Sequence, residues 1–255
     1  MENFFEEHSS VFSSYSCKIK KEVLEHYSSN ISLIEKLFTA GSSMLSLYDL
    51  STQKYIYIHP RYSKLLGKDA TKEMMIKSAD FYDRVHPDDL NPLVYAEVQA
   101  FKLLYGMPAP VREEYKIVTF LRIRKDDGSY TRILRRVIDF RESREGKSWL
   151  LLIAADIIEE KATELVEVPL LFNRETRYIY LIRLNEPCMR EKFMLSEREL
   201  EVLQLAGTAT TSKIIAGKLC LSPHTISSHR KNILKHFSTH NISQVHFLMK
   251  RLEVF

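Results

Sequence analysis

The spacing of apolar residues changes along the chain. Residues 18–39 place most of their apolar positions at helical intervals, which predicts one or two helices that could pack on the next domain or on a second subunit. From about Ser43 the apolar positions alternate, and the segment MLSLYDLSTQKYIYIHP predicts a strand, a turn and a second strand. Short helical stretches are then expected around 62–66, 71–77, 80–84 and 90–105.

Two long β-rich runs follow, VREEYKIVTFLRIRK and SYTRILRRVIDFRE, on either side of Asp127 and Gly128. An Asp-Gly pair between such runs predicts a hairpin, because both residues tolerate positive φ. A third run, SWLLLIAADII, is apolar enough for a central strand. Two strands, several short helices and three further strands together predict an α+β domain built on an antiparallel sheet.

The segment 157–194 is a connector. Its runs EVPLLFN and RYIYLIRL, around Arg174, Glu175 and Thr176, fit a further hairpin. Both a spacer and a transmitter of conformational change are compatible with this pattern.

The last sixty residues predict four short helices. Ser196 and Glu199 have the spacing of a capping box, which opens the first of them. Ser222 followed by Pro223 supplies an N-cap and a first helical residue for the third. The second helix is expected at 212–219, the third from 223 to about 237 and the fourth from about 243. Two short helices joined by a tight turn indicate a helix-turn-helix.

The third of these helices has two distinct sides. At 100° per residue, Ile226, Ile233 and Phe237 fall together on one side and form a core face. The opposite side carries only hydroxyls, one histidine and two lysines. A solvated face is the ordinary interpretation of such a pattern, but the preceding cap and the paired helices favour contact with DNA.

The charge distribution supports DNA as the partner. The net charge is +4, and residues 195–255 hold eight Lys or Arg against four acids. No Asp or Glu occurs between Val202 and Leu252. A surface without acids does not repel a polyanion, and nucleic acid is the commonest polyanion inside a cell.

The length and the remaining composition narrow the class of protein. A chain of 255 residues is expected to form two domains or one large one. The longest uninterrupted apolar run, from Trp149 to Ala155, is too short to span a bilayer, and no secretory signal opens the chain. Cys17, Cys188 and Cys220 have no paired spacing, so neither a disulfide framework nor a zinc site is indicated. We therefore expect a soluble cytoplasmic protein without membrane association.

Residues of about 40–160 resemble a PAS sensor domain. The resemblance rests on the order of elements, on the phrase VHPDDL at 85–90 and on the hairpin RKDDGSY at 124–130. In the phrase, Asp88 is expected to cap a helix that starts near Asp89. The resemblance implies a domain that often holds haem, flavin or a small metabolite against its sheet.

Two histidines in this region are candidate ligands. His86, together with Asp83, Asp88 and Asp89, could be taken for a metal or acid–base cluster, but helix capping explains the acids without a metal. His59 is a conceivable haem ligand, although a histidine beside a proline is more often structural. All three cysteines lie outside 40–160, which argues against a photoreactive flavin domain. We therefore predict no metal and no catalytic residue, and the cofactor is unknown.

Residues 195–237 are similar to the LuxR-type, or GerE-like, DNA-binding domain, to which they align without gaps. The matching positions include Leu195, Glu199, Lys213, Ile215, Ala216, Ser222, Thr225, His229, Lys231 and Ile233. The sequence departs from the family at Ala209, Ile214, Ser227 and His236. The resemblance implies base-edge contacts by Ser227, Ser228 and Lys231, and phosphate contacts by Lys213, Ser222, Thr225 and Lys235.

The sequence thus predicts four segments: an N-terminal helical segment at 1–39, a PAS-like domain at 40–160, a connector at 161–194 and an all-α four-helix LuxR-type domain at 195–255. The expected function is a bacterial one-component transcription regulator that binds double-stranded DNA as a homodimer. Its PAS-like domain is expected to bind a small-molecule ligand or to mediate dimerisation. One alternative is a PAS-like domain that acts only as an interaction module. The other is a small-molecule enzyme, for which no nucleophile–base spacing, phosphate loop or metal quartet is present.

Overall fold

The fold is taken from a computed structural model, which describes residues 2–17, 43–68, 76–142, 148–158, 169–183, 192–207 and 211–255. Its helices are α1 (Glu2–Tyr15), α2 (Pro60–Leu65), α3 (Ser78–Tyr82), α4 (Pro87–Tyr105), α5 (Ala109–Arg112), α6 (Glu197–Ala206), α7 (Ser212–Leu219), α8 (Pro223–Phe237) and α9 (Ile242–Arg251). Its strands are β1 (Met44–Asp49), β2 (Lys54–Ile58), β3 (Tyr115–Arg124), β4 (Tyr130–Glu142), β5 (Ser148–Ile158), β6 (Leu170–Asn173), β7 (Ile179–Leu181) and β8 (Lys192–Phe193).

These strands form one sheet in the order β2-β1-β5-β4-β3-β6-β7-β8, with antiparallel pairing between neighbours. The α+β class is therefore confirmed. Strand β5 lies between β1 and β4, in agreement with its apolar sequence. The order of two strands, short helices and three strands is the order that the PAS resemblance implies.

The Asp127-Gly128 hairpin is confirmed between β3 and β4. Arg124 pairs with Tyr130 across it, and Lys125 N donates to Ser129 O over 2.7 Å. Gly128 has φ +81°, the left-handed conformation that glycine adopts without strain. The Asp127 carboxylate accepts hydrogen bonds from Ser129 N and Ser129 Oγ, at 2.8 and 2.6 Å.

The expected connector contains more structure than a spacer. Its predicted hairpin is confirmed as β6 and β7, and Leu171 pairs with Tyr180. Strand β6 also pairs with β3, through Ile117 and Leu171, so the hairpin extends the main sheet. Strand β8 then pairs with β7 immediately before the C-terminal helices.

The two His-Pro steps are helix starts. His86 is the N-cap of α4, with Nδ1 accepting from Asp88 N at 3.2 Å, so our assignment of Asp88 as the cap was wrong. Asp89 instead accepts from the backbone N, Nε and Nη2 of Arg122. His59 caps α2 in the same way and accepts from Arg61 N at 3.1 Å. A proline at the first helical position gives up a backbone N–H that has no partner inside the helix.

The N-terminal prediction has a mixed outcome. The helices expected at 18–39, and residues 71–75 of the one expected at 71–77, lie outside the described residues. Helix α1 precedes that region and lies within the helical segment predicted at 1–39, although no individual helix was predicted at Glu2–Tyr15. The ring of its Phe12 packs against Phe101 of α4 at a tilt, with ring centroids 4.4 Å apart, so α1 packs on the PAS-like domain.

Each face of the sheet has its own apolar core. The inner face packs against α1 and α4 and includes Ile117, Ile133 and Ile153, each at most 2% exposed. The outer face, with Val118 and Leu134, belongs to the same apolar cluster as the cores of α6 to α9. Within the described part of the chain, no helix has both the length and the apolar character needed to cross a bilayer.

Candidate nucleic-acid interface

The predicted helix starts of the C-terminal domain are confirmed by their hydrogen bonds. Ser196 and Glu199 form the capping box that opens α6: Ser196 N donates to Glu199 Oε2 at 2.9 Å, and Glu199 N donates to Ser196 Oγ at 3.3 Å. Ser222 caps α8 by accepting from Thr225 N at 3.0 Å, and Pro223 takes the first helical position. These bonds satisfy amides that have no partner within the helix.

A tight turn joins α7 to α8. Cys220 ends α7 in the left-handed conformation, with φ +54°, and Leu221 N then donates to Ala216 O at 3.0 Å. This backbone path resembles the Schellman ending, in which a left-handed residue lets the chain turn back on the last helical turn. Helices α7 and α8 therefore form the predicted helix-turn-helix.

The two sides of α8 are as the helical wheel predicts. Ile226, Ile233 and Phe237 are at most 1% exposed and pack into the core of the domain. Four residues predicted to contact DNA are exposed on the other side: Ser227, Ser228, Lys231 and Lys235. The chain therefore presents an uninterrupted polar face on this helix.

The two serines of this face have defined hydroxyl directions. Ser227 Oγ donates to Pro223 O at 2.9 Å, and Ser228 Oγ donates to His224 O at 3.1 Å. Each hydroxyl hydrogen is thus used inside the helix, and the oxygen lone pairs are left to accept. In this state the serines can accept hydrogen bonds from the amino groups of adenine or cytosine.

A groove of about 770 Å³ runs along the carboxyl half of α8. It is lined by Ser212, Ser227, Arg230, Lys231, Leu234, Lys235, Ser238, Thr239 and His240. Three of these residues are permanent cations and none is an acid. Such a groove suits a phosphate backbone, because its cations attract the phosphate oxygens and no acid repels them.

Only some of the residues predicted to contact DNA line the groove. Lys213, Ser222, Thr225 and Ser228 are not among its lining residues, although Lys213, Ser222 and Ser228 are exposed elsewhere on the same two helices. The DNA contacts assigned to these four residues, and to Ser227, Lys231 and Lys235, remain predictions.

Sequence reasoning missed Arg230, Thr239 and His240. Arg230 falls about 40° from Ile226 on the helical wheel, close to the core side, so the wheel does not mark it as part of the polar face. In the structure its Nη1 donates to Ser212 Oγ at 3.3 Å, which links α8 to the start of α7. Ile214, where the family has Glu, is an apolar residue that is 49% exposed on α7.

The inner core of the PAS-like domain holds a buried polar cluster that the sequence did not reveal. Glu97 of α4 accepts from Arg135 Nη1 at 2.6 Å and from the Tyr82 hydroxyl at 2.7 Å. His8 of α1 contacts the same carboxylate through Nε2 at 3.0 Å. Glu97, Arg135 and His8 are each at most 5% exposed. Four segments distant in sequence therefore meet at one buried carboxylate.

The ionisation of this cluster follows from its geometry. Burial favours the neutral form of Glu97, but the Arg135 guanidinium and the hydrogen bonds with His8 and Tyr82 together outweigh it and lower the pKa of Glu97 to about 2. Burial also raises the pKa of Tyr62 to about 12 and holds the pKa of Tyr55 well above 10. The cluster therefore contains a carboxylate and a guanidinium, surrounded by neutral phenols.

The C-terminal domain matches a known family. Residues 194–249 match the family model GerE, described as bacterial regulatory proteins, luxR family. No curated protein matches the chain.

Solved structures show a weaker likeness. The sensory box histidine kinase/response regulator of Burkholderia thailandensis is 18% identical over 52% of this chain and 88% of that chain, with a TM-score of 0.36. A VqmA dimer of Vibrio cholerae is 17% identical over 87% of this chain and 86% of that one, with a TM-score of 0.32. The PAS domain of an HTR-like protein of Haloarcula marismortui is 19% identical over 55% of this chain and 100% of that one, with a TM-score of 0.34.

These TM-scores lie below 0.5, so we infer no function from them. Residues 194–249 match the luxR family model and form a capped helix pair, so this part of the chain is a LuxR-type (GerE-like) helix-turn-helix domain, and it follows a PAS-like α+β domain.

Proposed function

We propose that the protein is a sequence-specific, one-component transcription regulator, in which α8 enters the major groove of double-stranded DNA. The observation that carries the proposal is the exposed polar face of α8, which borders a groove lined by cations and hydroxyls. An α-helix fits the major groove, and its first turns reach base edges in this motif.

The predicted roles divide by position along the helices. Ser227 and Ser228 lie in the second turn of α8 and Lys231 lies about one turn further on, and all three would contact base edges. Lys235 lies one turn further on, beside Arg230 in the groove, and would contact phosphate. The starts of α7 and α8 carry three further residues that would contact phosphate, namely Lys213, Ser222 and Thr225.

The experiment is a salt titration of the full chain on a duplex of random sequence. We expect measurable binding at low salt, with the logarithm of the affinity falling linearly as the logarithm of the salt concentration rises. A polar face that is only solvated would give no binding at any salt concentration, and that result would refute the proposal.

We further propose that the PAS-like domain senses a small molecule at its inner core, and that the regulator works as a homodimer in the cytoplasm. Two buried polar atoms there, Ser46 Oγ and Arg135 Nε, have no hydrogen-bond partner. Leaving a polar atom buried and unpaired costs about 1–3 kcal/mol, so a polar ligand at these atoms would be stabilised. This observation favours ligand sensing over a pure interaction module.

Mass spectrometry of the intact protein purified from its native host tests the sensing proposal. We expect a small molecule that is retained under native conditions and released on unfolding. The same spectrum gives the oligomeric state. Two results together would favour the interaction module. The spectrum would show a homodimer without added mass, and cell extract would not raise the unfolding temperature of the protein.

A further inference from the structure

The outer face of the sheet carries the C-terminal domain. Val118, Leu134, Leu170 and Phe172 on this face are at most 2% exposed. They form one continuous apolar cluster with residues of the C-terminal helices, among them Leu195, Val202, Leu203 and Leu252. The sheet is therefore an interaction surface whose occupant is the helix-turn-helix domain of the same chain.

Polar and aromatic contacts join the same two parts. Arg183 Nη2, just after β7, donates to Ser238 Oγ at 2.6 Å, at the carboxyl end of α8. The Phe193 ring of β8 stacks on His236, with ring centroids 4.8 Å apart, and meets Phe237 edge-on at 5.1 Å. The carboxyl end of α8 is thus held against the sheet, while the polar face of α8 stays exposed.

Lys116 is the unusual residue of this surface. It lies on β3 opposite Phe172, and its side chain is only 8% exposed. Burial lowers the pKa of Lys116, the guanidinium groups of Arg136 and Arg174 lower it further, and the Glu253 carboxylate opposes them. Arg136 has its own counter-ion, because its Nη2 donates to Asp156 at 2.5 Å. Lys116 is therefore a buried cation beside other cations.

Glu253 supplies the opposing charge from the C-terminal domain. Its Oε2 lies 3.7 Å from Lys116 Nζ, and its side chain is 74% exposed. It is the first acid after the acid-free stretch that begins at Val202. Its φ is +61°, a conformation that costs a non-glycine residue about 1–2 kcal/mol.

We propose that Lys116 and Glu253 form a weak electrostatic latch that holds the helix-turn-helix domain reversibly on the outer face of the PAS-like sheet. Apolar burial drives the docking, and the desolvated Lys116 charge opposes it. The ion pair between Lys116 and the exposed Glu253 carboxylate is long, so it offsets only part of the desolvation cost of the Lys116 charge. Docking is thereby kept reversible, and a change in β3 that moves Lys116 alters how firmly the DNA-binding domain is held.

The latch makes two substitutions act in opposite directions. Glu253→Gln removes the counter-ion and leaves the Lys116 charge buried, so docking weakens. Lys116→Met replaces the charge with an apolar side chain of similar length, so docking strengthens. Glu201→Gln is the matched control, because Glu201 pairs with Arg198 within α6 at 2.7 Å.

Hydrogen exchange of the full chain, without DNA, measures the docking directly. In amides of β6 and of residues 249–255, we expect exchange about threefold or more faster in Glu253→Gln, slower by a similar factor in Lys116→Met, and unchanged in Glu201→Gln. Circular dichroism confirms the fold of each variant, and Lys116→Leu replaces Lys116→Met if the latter does not fold.

Unchanged exchange in Glu253→Gln, or faster exchange in the apolar Lys116 variant, would overturn the latch. Since no DNA is present, either result leaves the proposed DNA-binding function standing. Loss of DNA binding in the wild-type chain would conversely leave the latch standing.

Discussion

At the scale of single residues, Glu97 is the centre of the PAS-like core. It receives hydrogen bonds from Arg135 and Tyr82 and contacts His8, all away from water. Removing one partner of a buried ion pair is strongly destabilising, because the other charge is left without compensation. The stability of this domain should therefore depend on one carboxylate.

Glu97→Gln tests this dependence through pH. At neutral pH we expect the variant to lose about 3–5 kcal/mol in the free energy of unfolding. The pKa of Glu97 lies below its ordinary value of 4.5, so its contribution is fully present above that pH and is lost as the pH falls toward about 2. The difference between variant and wild type should therefore narrow over this window in urea denaturation. A difference independent of pH, or one matched by Glu7→Gln, whose half-exposed carboxylate pairs with Lys102, would contradict the assignment.

Cys220 offers a second prediction at this scale. It is exposed and left-handed, with φ +54°, at the turn between α7 and α8. Glycine adopts this conformation without strain, whereas Cys220→Ala keeps a Cβ and its strain. We expect Cys220→Gly to be more stable than Cys220→Ala by about 1 kcal/mol in thermal unfolding. A glycine variant that is no more stable than the alanine variant would show that the turn carries no such strain.

At the scale of elements, we expect α8 to contact bases and phosphates through different residues. Lys235 lies in the groove, whereas Lys250 is an exposed lysine of α9 that does not line it. We expect Lys235→Ala to weaken binding to all duplexes about equally and to reduce the salt slope by about one, because one phosphate contact is lost. Fluorescence anisotropy titrations at several salt concentrations measure both quantities. An equal effect of Lys250→Ala would show that only net charge matters.

The elements differ in how far local sequence determines them. The bounds of α7 and α8 could be predicted, because their caps Thr211 and Ser222 are hydroxyl residues next to the helices that they open. The caps of α2 and α4 could not, because His59 and His86 act through a ring nitrogen, which is not a common capping group. The placement of α1 within the predicted N-terminal helical segment could not be predicted, because α1 is stabilised by distant partners on α4 rather than by a local signal.

At the scale of the whole molecule, the sheet connects the two domains. The alternation of apolar residues predicts which segments are strands, and it predicts the β3–β4 hairpin from its turn. It does not predict that β6 pairs with β3, because Leu171 and Ile117 are more than fifty residues apart and no turn residue joins them. The buried cluster at Glu97 and the ion pair between Lys116 and Glu253 were missed for the same reason.

The central claim is that α8 reads DNA sequence, and Lys231 tests it most directly. Binding-site selection from a random duplex pool, followed by affinity measurements, should be run on the full wild-type chain and on Lys231→Ala. We expect the wild type to enrich a defined sequence, and the variant to lose preference at particular base pairs, at a cost of about 1–3 kcal/mol there. If Lys231→Ala weakens every duplex equally and selects the wild-type sequence unchanged, α8 does not read bases through this face.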